Sequence, residues 1–237
     1  MANEYFHFKQ FSIFQDKCAM KVGTDGVLLG AWVNVKGAKK ILDVGTGTGL
    51  LALMMAQRTR ANIDAIEIDK AAAEQAVENV LRSRWSDRVV IHHTALQDYF
   101  PSHSKYDLII SNPPYFSNLI QITGNARELA RQNYALTMNG LISGVCRLLK
   151  PGGRFALIYP AESFNAVTEL TRKNGLFALR VTRVLSTPGD KAIRILAEFS
   201  YERNIPVHDK LIIEEKGRHQ YSEKYRKLTQ DFYLDKR

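Results

Sequence analysis

The apolar run Ile41-Leu42-Asp43-Val44 passes directly into Gly45-Thr46-Gly47-Thr48-Gly49, and no other stretch limits the folds open to this chain so strongly. The next segment carries Leu50, Leu51, Leu53, Met54 and Met55, apolar nearly all round, as suits a helix packed beneath a sheet. Strand, glycine loop, helix is therefore the expected order. Glycines at alternate positions let the backbone approach a ligand, and the helix N-terminus offers unpaired N–H groups, so a nucleotide-like cofactor is expected. Dinucleotide dehydrogenases place their third glycine one residue later and do not ask for an acid two residues before the first. Asp43 stands at that extra position, where its carboxylate would order the loop or meet a cationic ligand. S-adenosylmethionine, with a sulfonium and an ammonium, is such a ligand.

A second signal lies about 65 residues downstream, where Leu108-Ile109-Ile110-Ser111 ends in Asn112-Pro113-Pro114-Tyr115. An exocyclic amine on a purine, or an amide nitrogen, has its lone pair drawn into the π system and must be held and rehybridised to react. The Asn112 side-chain oxygen and the following carbonyl can accept both N–H bonds. Pro113 and Pro114 fix φ and remove two donors, and Tyr115 can stack on the ring. Taken alone, the same four residues also read as a Pro-terminated strand and a turn. The glycine loop favours the chemical reading, in which Asn112 to Tyr115 form the catalytic turn and Asn112 also borders the cofactor.

Ile63-Asp64-Ala65-Ile66-Glu67-Ile68-Asp69 is a second strand ending in acids. Glu67, roughly 20 residues past the glycine loop, is the expected acceptor for the ribose diol. Asp69 reads instead as the N-cap of a helix opening at Lys70, with Ala72, Ala76, Val77, Val80 and Leu81 at helical spacing. After a third strand, Val89-Val90-Ile91-His92, an acid would meet the cofactor's adenine. Leu96 occupies the expected place, leaving Asp98 as the candidate and backbone groups near Leu96 as the alternative.

With these motifs after successive strands, the chain resembles the class I S-adenosylmethionine-dependent methyltransferases that carry Asn-Pro-Pro-Tyr. Phe8-Lys9-Gln10-Phe11 and the run from Cys18 to Trp32, with Lys21-Val22-Gly23-Thr24-Asp25-Gly26 at its centre, are similar to the bacterial tRNA1(Val) adenine-37 N(6)-methyltransferase family. Arg127-Glu128-Leu129-Ala130-Arg131, Tyr221-Ser222-Glu223 and Thr229 to Leu234 agree with it too. The resemblance implies methylation of the adenine beside a tRNA anticodon. Adenine presents the planar amine the turn suits, and stacking on Tyr115 requires a base flipped out of its loop. Alignment and desolvation would carry the reaction, with no strong general base. By the same resemblance Lys21, Thr24 and Asp25 close over the methionine end of the cofactor; Thr24 and Asp25 also read as ordinary helix caps.

A net charge of +9 suits a polyanionic partner, here the tRNA anticodon loop. Arg127 and Arg131, at i and i+4, could share a helix face beside the site and hold phosphates. Lys216, Arg218, Lys224, Arg226 and Lys227 are interleaved with Tyr221 and Tyr225, a mixture that suits single-stranded RNA, although scattered lysines also make an ordinary solvated face. Cys18 and Cys146 lack metal-ligand spacing and read as reduced thiols of a cytoplasmic protein, and the six histidines show no ligand pattern. No run of 18 apolar residues and no leader-like segment argues for a membrane or for secretion.

The expected fold is α/β and Rossmann-like: a doubly wound sheet of seven strands with an antiparallel last strand, as in a class I methyltransferase. Residues 1–237 read as one methyltransferase domain, with a flap over 1–40, the core over 41–202 and an appendage over 203–237. A monomer is the expected state. Lys150-Pro151-Gly152-Gly153 reads as a stop between a helix and strand five, and Leu211-Ile212-Ile213 as a short added strand. Phe6, Phe8 and Phe11 suggest an aromatic flap or hairpin. Rival readings are a protein-glutamine methyltransferase, for which the 40 residues before the first strand are a short docking region, a DNA adenine methyltransferase, and a non-catalytic RNA-binding module.

Overall fold

The computed structural model describes residues 3–18, 20–101, 105–114 and 136–234. Its first elements are a hairpin of β1 (Tyr5–His7) and β2 (Ser12–Phe14), then helix α1 (Thr24–Trp32). The alternation that follows is β3 (Lys40–Val44), α2 (Leu50–Arg58), β4 (Asn62–Glu67), α3 (Lys70–Leu81), β5 (Val89–His93) and β6 (Tyr106–Ser111). Next come α4 (Met138–Leu148), β7 (Leu149–Pro160), α5 (Phe164–Lys173), β8 (Phe177–Leu185), β9 (Arg194–Ser200), β10 (Val207–Ile212) and α6 (Glu223–Thr229).

One sheet runs in the order β10-β8-β9-β7-β6-β3-β4-β5. The strands from β5 to β7 are parallel, and β9 lies antiparallel to both β7 and β8. That is the expected seven-stranded arrangement with its antiparallel strand. An eighth strand, β10, adds parallel to β8, so the segment after residue 203 extends the sheet. It starts earlier than the apolar triplet suggests, since β8 supplies backbone partners from Val207 onward. Lys150-Pro151-Gly152-Gly153 does not separate helix from strand either. β7 begins at Leu149, directly after α4, and absorbs the glycines at a register shift opposite Tyr106 and Leu108, with Gly152 at φ 73°.

Alternate strand residues divide between two cores, which is why both faces need helices. Ile41, Ile63, Leu108, Ile110 and Ile158 join Leu28, Leu29, Leu53 and Met54 on one face. Leu42, Val44, Ile66, Ile109 and Leu157 join Leu141, Val145 and Val167 on the other. The aromatic hairpin packs into the first core: Phe8 and Phe11 are buried and stacked at 4.7 Å, and Phe8 bridges in antiparallel fashion to Tyr233. Helix α1 lies close on α2 because Gly30 leaves room there; a Cβ on it would come 2.5 Å from the Met54 sulfur.

Helix α3 departs from its apolar pattern. Val77 and Leu81 are exposed, while Gln75 and Asn79 are buried beside Ala72, Ala76 and Val80. The physical reason is what α3 faces: besides the main sheet it meets the end of β2 at Phe14 and the irregular backbone at Lys17, whose polar groups need partners.

Candidate active site

The register of the central strands builds the site. β3 and β6 are parallel neighbours with Val44 opposite Ser111, and the buried Ser111 hydroxyl donates to the Val44 carbonyl at 2.8 Å. The residues that follow, Gly45 and Asn112, therefore leave the sheet side by side at the carboxyl ends of adjacent strands, where doubly wound sheets bind ligands.

The glycine loop is folded by its own backbone. The Gly45 and Thr46 amides donate to the Ile66 carbonyl at 3.0 Å each, and Gly49 donates to Thr46 at 3.0 Å. Gly45, Gly47 and Gly49 have φ of 71°, 56° and 84°, the left-handed region that side chains resist. A Cβ on Gly45 or Gly47 would meet no atom within 4 Å, so the loop borders open space.

Asp43 is fully buried beneath this loop and orders it. Its Oδ2 accepts from the Thr46 hydroxyl at 2.5 Å and from the Ala52 amide at 3.1 Å. Among the described residues its Oδ1 has no partner. Burial pushes the Asp43 carboxyl up to about 7, against the pull of the Thr46 and Ala52 hydrogen bonds, and the nearby Glu67 charge adds to the rise. Glu67, half-buried at the end of β4, accepts from the Gly47 amide at 2.9 Å through Oε2 and from the Ile68 and Asp69 amides at 2.9 Å through Oε1. Asp69 caps α3 as expected, accepting from the Ala72 amide at 2.8 Å.

Asn112 is half-buried, Pro113 buried and Pro114 exposed. A Cβ on Gly26 would lie 3.7 Å from the Asn112 side-chain nitrogen and 3.0 Å from Leu50, so glycine at that point of α1 admits the carboxamide. Tyr115, Arg127 and Arg131 lie outside the described residues.

Thr24 and Asp25 do not cap α1; the cap is Gly23, in an extended conformation with no side-chain bond. Thr24 is exposed in the first turn, and Asp25 Oδ2 pairs with Arg194 Nε at 2.9 Å, fixing the start of α1 to the start of β9. Lys21 is exposed, with its Nζ 3.4 Å from the Asn3 carbonyl. Asp98 is exposed, its amide donating to Ala95 at 3.1 Å. Leu96, where an acid was expected, is core: it packs on Gly144 of α4, and its carbonyl accepts from Arg147 at 2.6 Å. Of the two C-terminal tyrosines, Tyr225 belongs to the core and Tyr221 is half-buried. Tyr225 is buried against Tyr221, rings 4.9 Å apart, and Lys224 is bound to Asp209 and the Lys210 carbonyl. Sequence reasoning missed Gln75, Asn79 and Arg194, whose roles depend on contacts far along the chain.

A sheet of this order, with a glycine loop on the strand beside an Asn-Pro-Pro turn, defines a class I methyltransferase. Residues 18–178 match the family described as methyltransferase small domain. The chain is 48% identical to the tRNA1(Val) (adenine(37)-N6)-methyltransferase of Bacteroides thetaiotaomicron, with 99% of each chain covered. It is 46% identical to the protein of that name in Phocaeicola vulgatus, covering 99% of this chain and all of the other. Among solved structures, a predicted O-methyltransferase, protein Atu636, of Agrobacterium tumefaciens superposes with a TM-score of 0.69 at 20% identity, covering 88% of this chain and 96% of that one. The chain belongs to the methyltransferase small domain family and, within it, to the group carrying the tRNA1(Val) (adenine(37)-N6)-methyltransferase name. Among the described residues no helix is long and apolar enough to cross a membrane, and no cluster of side chains could hold a metal ion.

Proposed function

We propose that this protein transfers a methyl group from S-adenosylmethionine to N6 of adenine 37 in tRNA1(Val). The observation that carries the reading is the Val44–Ser111 pairing, which sets the glycine loop beside the Asn-Pro-Pro turn. The residues fit the donor: open space over Gly45 and Gly47 takes a ligand against bare backbone, and the unpartnered buried oxygen of Asp43 suits a cationic one. Glu67 would hold the ribose hydroxyls, its carboxylate already aimed at the loop by Gly47. When bound, S-adenosylmethionine supplies a sulfonium-borne methyl group, an electrophile that needs no metal.

The chain's own contribution is at the other reactant. The Asn112 side-chain oxygen and the Pro113 carbonyl accept the two N–H bonds of the adenine amine, which turns the nitrogen pyramidal and frees its lone pair. Proline at 113 and 114 leaves no backbone N–H there to compete for those acceptors. Tyr115 stacks on the flipped base, and Arg127 and Arg131 hold nearby phosphates. Lys21, Thr24 and Asp25 lie at the methionine end. Asp98 or the backbone near Leu96 meets the cofactor's adenine. The amine becomes acidic as the new bond forms, so its proton leaves to solvent or to a nearby polar group. We read the chain as one domain acting as a monomer, in the cytoplasm where its tRNA resides.

The relatives' shared name and full-length identity support the tRNA assignment. The test is incubation with isotope-labelled S-adenosylmethionine and unfractionated tRNA, release factor or duplex DNA, followed by sequencing of the labelled RNA. Label at adenine 37 of tRNA1(Val) is the expected result; label only in protein or DNA overturns the substrate.

A further inference from the structure

From Phe14, the last residue of β2, to the start of α1 the described residues form a strap beside the glycine loop that is irregular beyond Phe14, and three buried amide side chains hold it. Asn79 is the central one. Its Oδ1 accepts from the Phe14 amide at 2.8 Å, and its Nδ2 donates to the Phe14 carbonyl at 2.8 Å and to the Thr48 carbonyl at 2.9 Å. One carboxamide thus pairs with Phe14 as a neighbouring strand would, and spends its second N–H on the loop residue between Gly47 and Gly49. One turn earlier, Gln75 Oε1 accepts from the Lys17 amide at 2.9 Å, and Glu78 pairs with the Lys17 ammonium. Gln15 closes the strap on itself, accepting from the Val22 amide at 2.8 Å and donating to the Asn3 carbonyl at 3.0 Å.

Buried amides on an otherwise apolar helix face cost stability unless every donor and acceptor is met. Leucine at Asn79 or Gln75 would leave the strap's amides and carbonyls unpaired. Cys18, half-buried in the strap, has its thiol raised by burial, and the charges of Glu67 and Asp69 raise it further.

We propose that Asn79 is a positioning residue that couples the strap to the glycine loop, so that seating the strap and ordering the cofactor cradle are one event. The proposal rests on the reading of that loop as the cofactor site. Asn79 touches no substrate; it acts through the Thr48 carbonyl. Loosening the strap therefore weakens cofactor binding even where the altered residue makes no contact with the loop, as at Gln75.

The experiment compares wild type, Asn79→Ala, Gln75→Ala and the double variant by calorimetry with S-adenosylhomocysteine, by KM and kcat, and by iodoacetamide alkylation of Cys18 followed by peptide mass spectrometry. Asn79→Ala is expected to raise Kd and KM for the cofactor by about tenfold, the scale of one buried hydrogen bond, with kcat at saturation changed by less than about threefold. Cys18 should be alkylated faster in each variant, and S-adenosylhomocysteine should slow the reaction in wild type. Gln75→Ala should raise Kd severalfold, and the double variant should be no weaker than Asn79→Ala alone, the non-additivity of residues acting as a unit. Faster Cys18 alkylation in Gln75→Ala with unchanged Kd overturns the coupling, and that arm decides the matter if Asn79→Ala does not fold. An Asn79→Ala protein that loses kcat alone overturns it too. If wild type does not bind S-adenosylhomocysteine, or Glu67→Ala binds it as well as wild type, the cofactor site itself is misassigned.

Discussion

The Ser111 hydroxyl donates to the Val44 carbonyl at 2.8 Å with both residues buried, and this bond ties the last residue of the strand before the Asn-Pro-Pro turn to the last residue of the strand before the glycine loop. The two halves of the site are therefore positioned by one side chain as well as by the ladder of β3 and β6. Ser111→Ala should destabilise the protein by about 1–2 kcal/mol, since the hydroxyl's donation to a buried carbonyl is lost. Thermal unfolding should show a fall of several degrees, and an unchanged midpoint would mean that the ladder alone holds the strand ends.

Asn112→Ala should leave S-adenosylhomocysteine binding close to wild type and lower kcat by about a hundredfold or more, as expected for removing one acceptor at the reacting nitrogen. Calorimetry and single-turnover kinetics separate the two effects. Loss of cofactor affinity with kcat retained would contradict the role given to Asn112.

Glu67→Ala should show the opposite pattern. Its carboxylate now holds the Gly47 amide, so the variant loses both the ribose acceptor and a fastening of the loop. A rise in Kd of about ten- to a hundredfold, with kcat at saturating cofactor much less affected, is expected for a hydrogen bond to a charged group.

Asp43 makes stability depend on pH. Its folded carboxyl sits at about 7 against an ordinary 3.8, so the native state holds the proton more tightly than the unfolded chain. Its contribution is then fully present below about pH 4 and is lost as pH rises through about 7. Asp43→Asn keeps acceptors for Thr46 and Ala52 but has no proton to lose. The variant should gain on wild type in chemical denaturation as pH goes from 5 to 8, by a few kcal/mol at most, and the gap should stop widening above that. A gap independent of pH would place the ionised carboxylate in the ligand-free protein at all these values. S-adenosylhomocysteine, which keeps the ammonium, should bind wild type better as pH rises through 7.

The exposed face of α3 offers a control. Val77→Glu and Leu81→Lys should change stability by less than about 0.5 kcal/mol, since both side chains face solvent. A large loss on denaturant titration would restore them to the core.

Much of this was written in local sequence. Val44 into Gly45 is a strand that must turn, because alternate glycines suit φ values near 60–80° that other residues resist. Asp69 before Lys70 announced a helix cap, and the apolar run before Asn112 announced a buried strand ending at a polar turn. At α3 the helical spacing located the helix from Lys70 to Leu81, but not its buried face, since Val77 and Leu81 are exposed while Gln75 and Asn79 are buried.

The chain's local chemistry thus determined the cradle and the amine acceptors, since φ preference, capping and strand burial are decided within a few residues. Only the tertiary structure decided that Ser111 meets Val44, that Asp25 meets Arg194, and that Asn79 joins Phe14 to Thr48. Those pairings unite groups far apart in the chain that the fold brings together, and a residue's hydropathy carries no record of which distant carbonyl, amide or charge will need it.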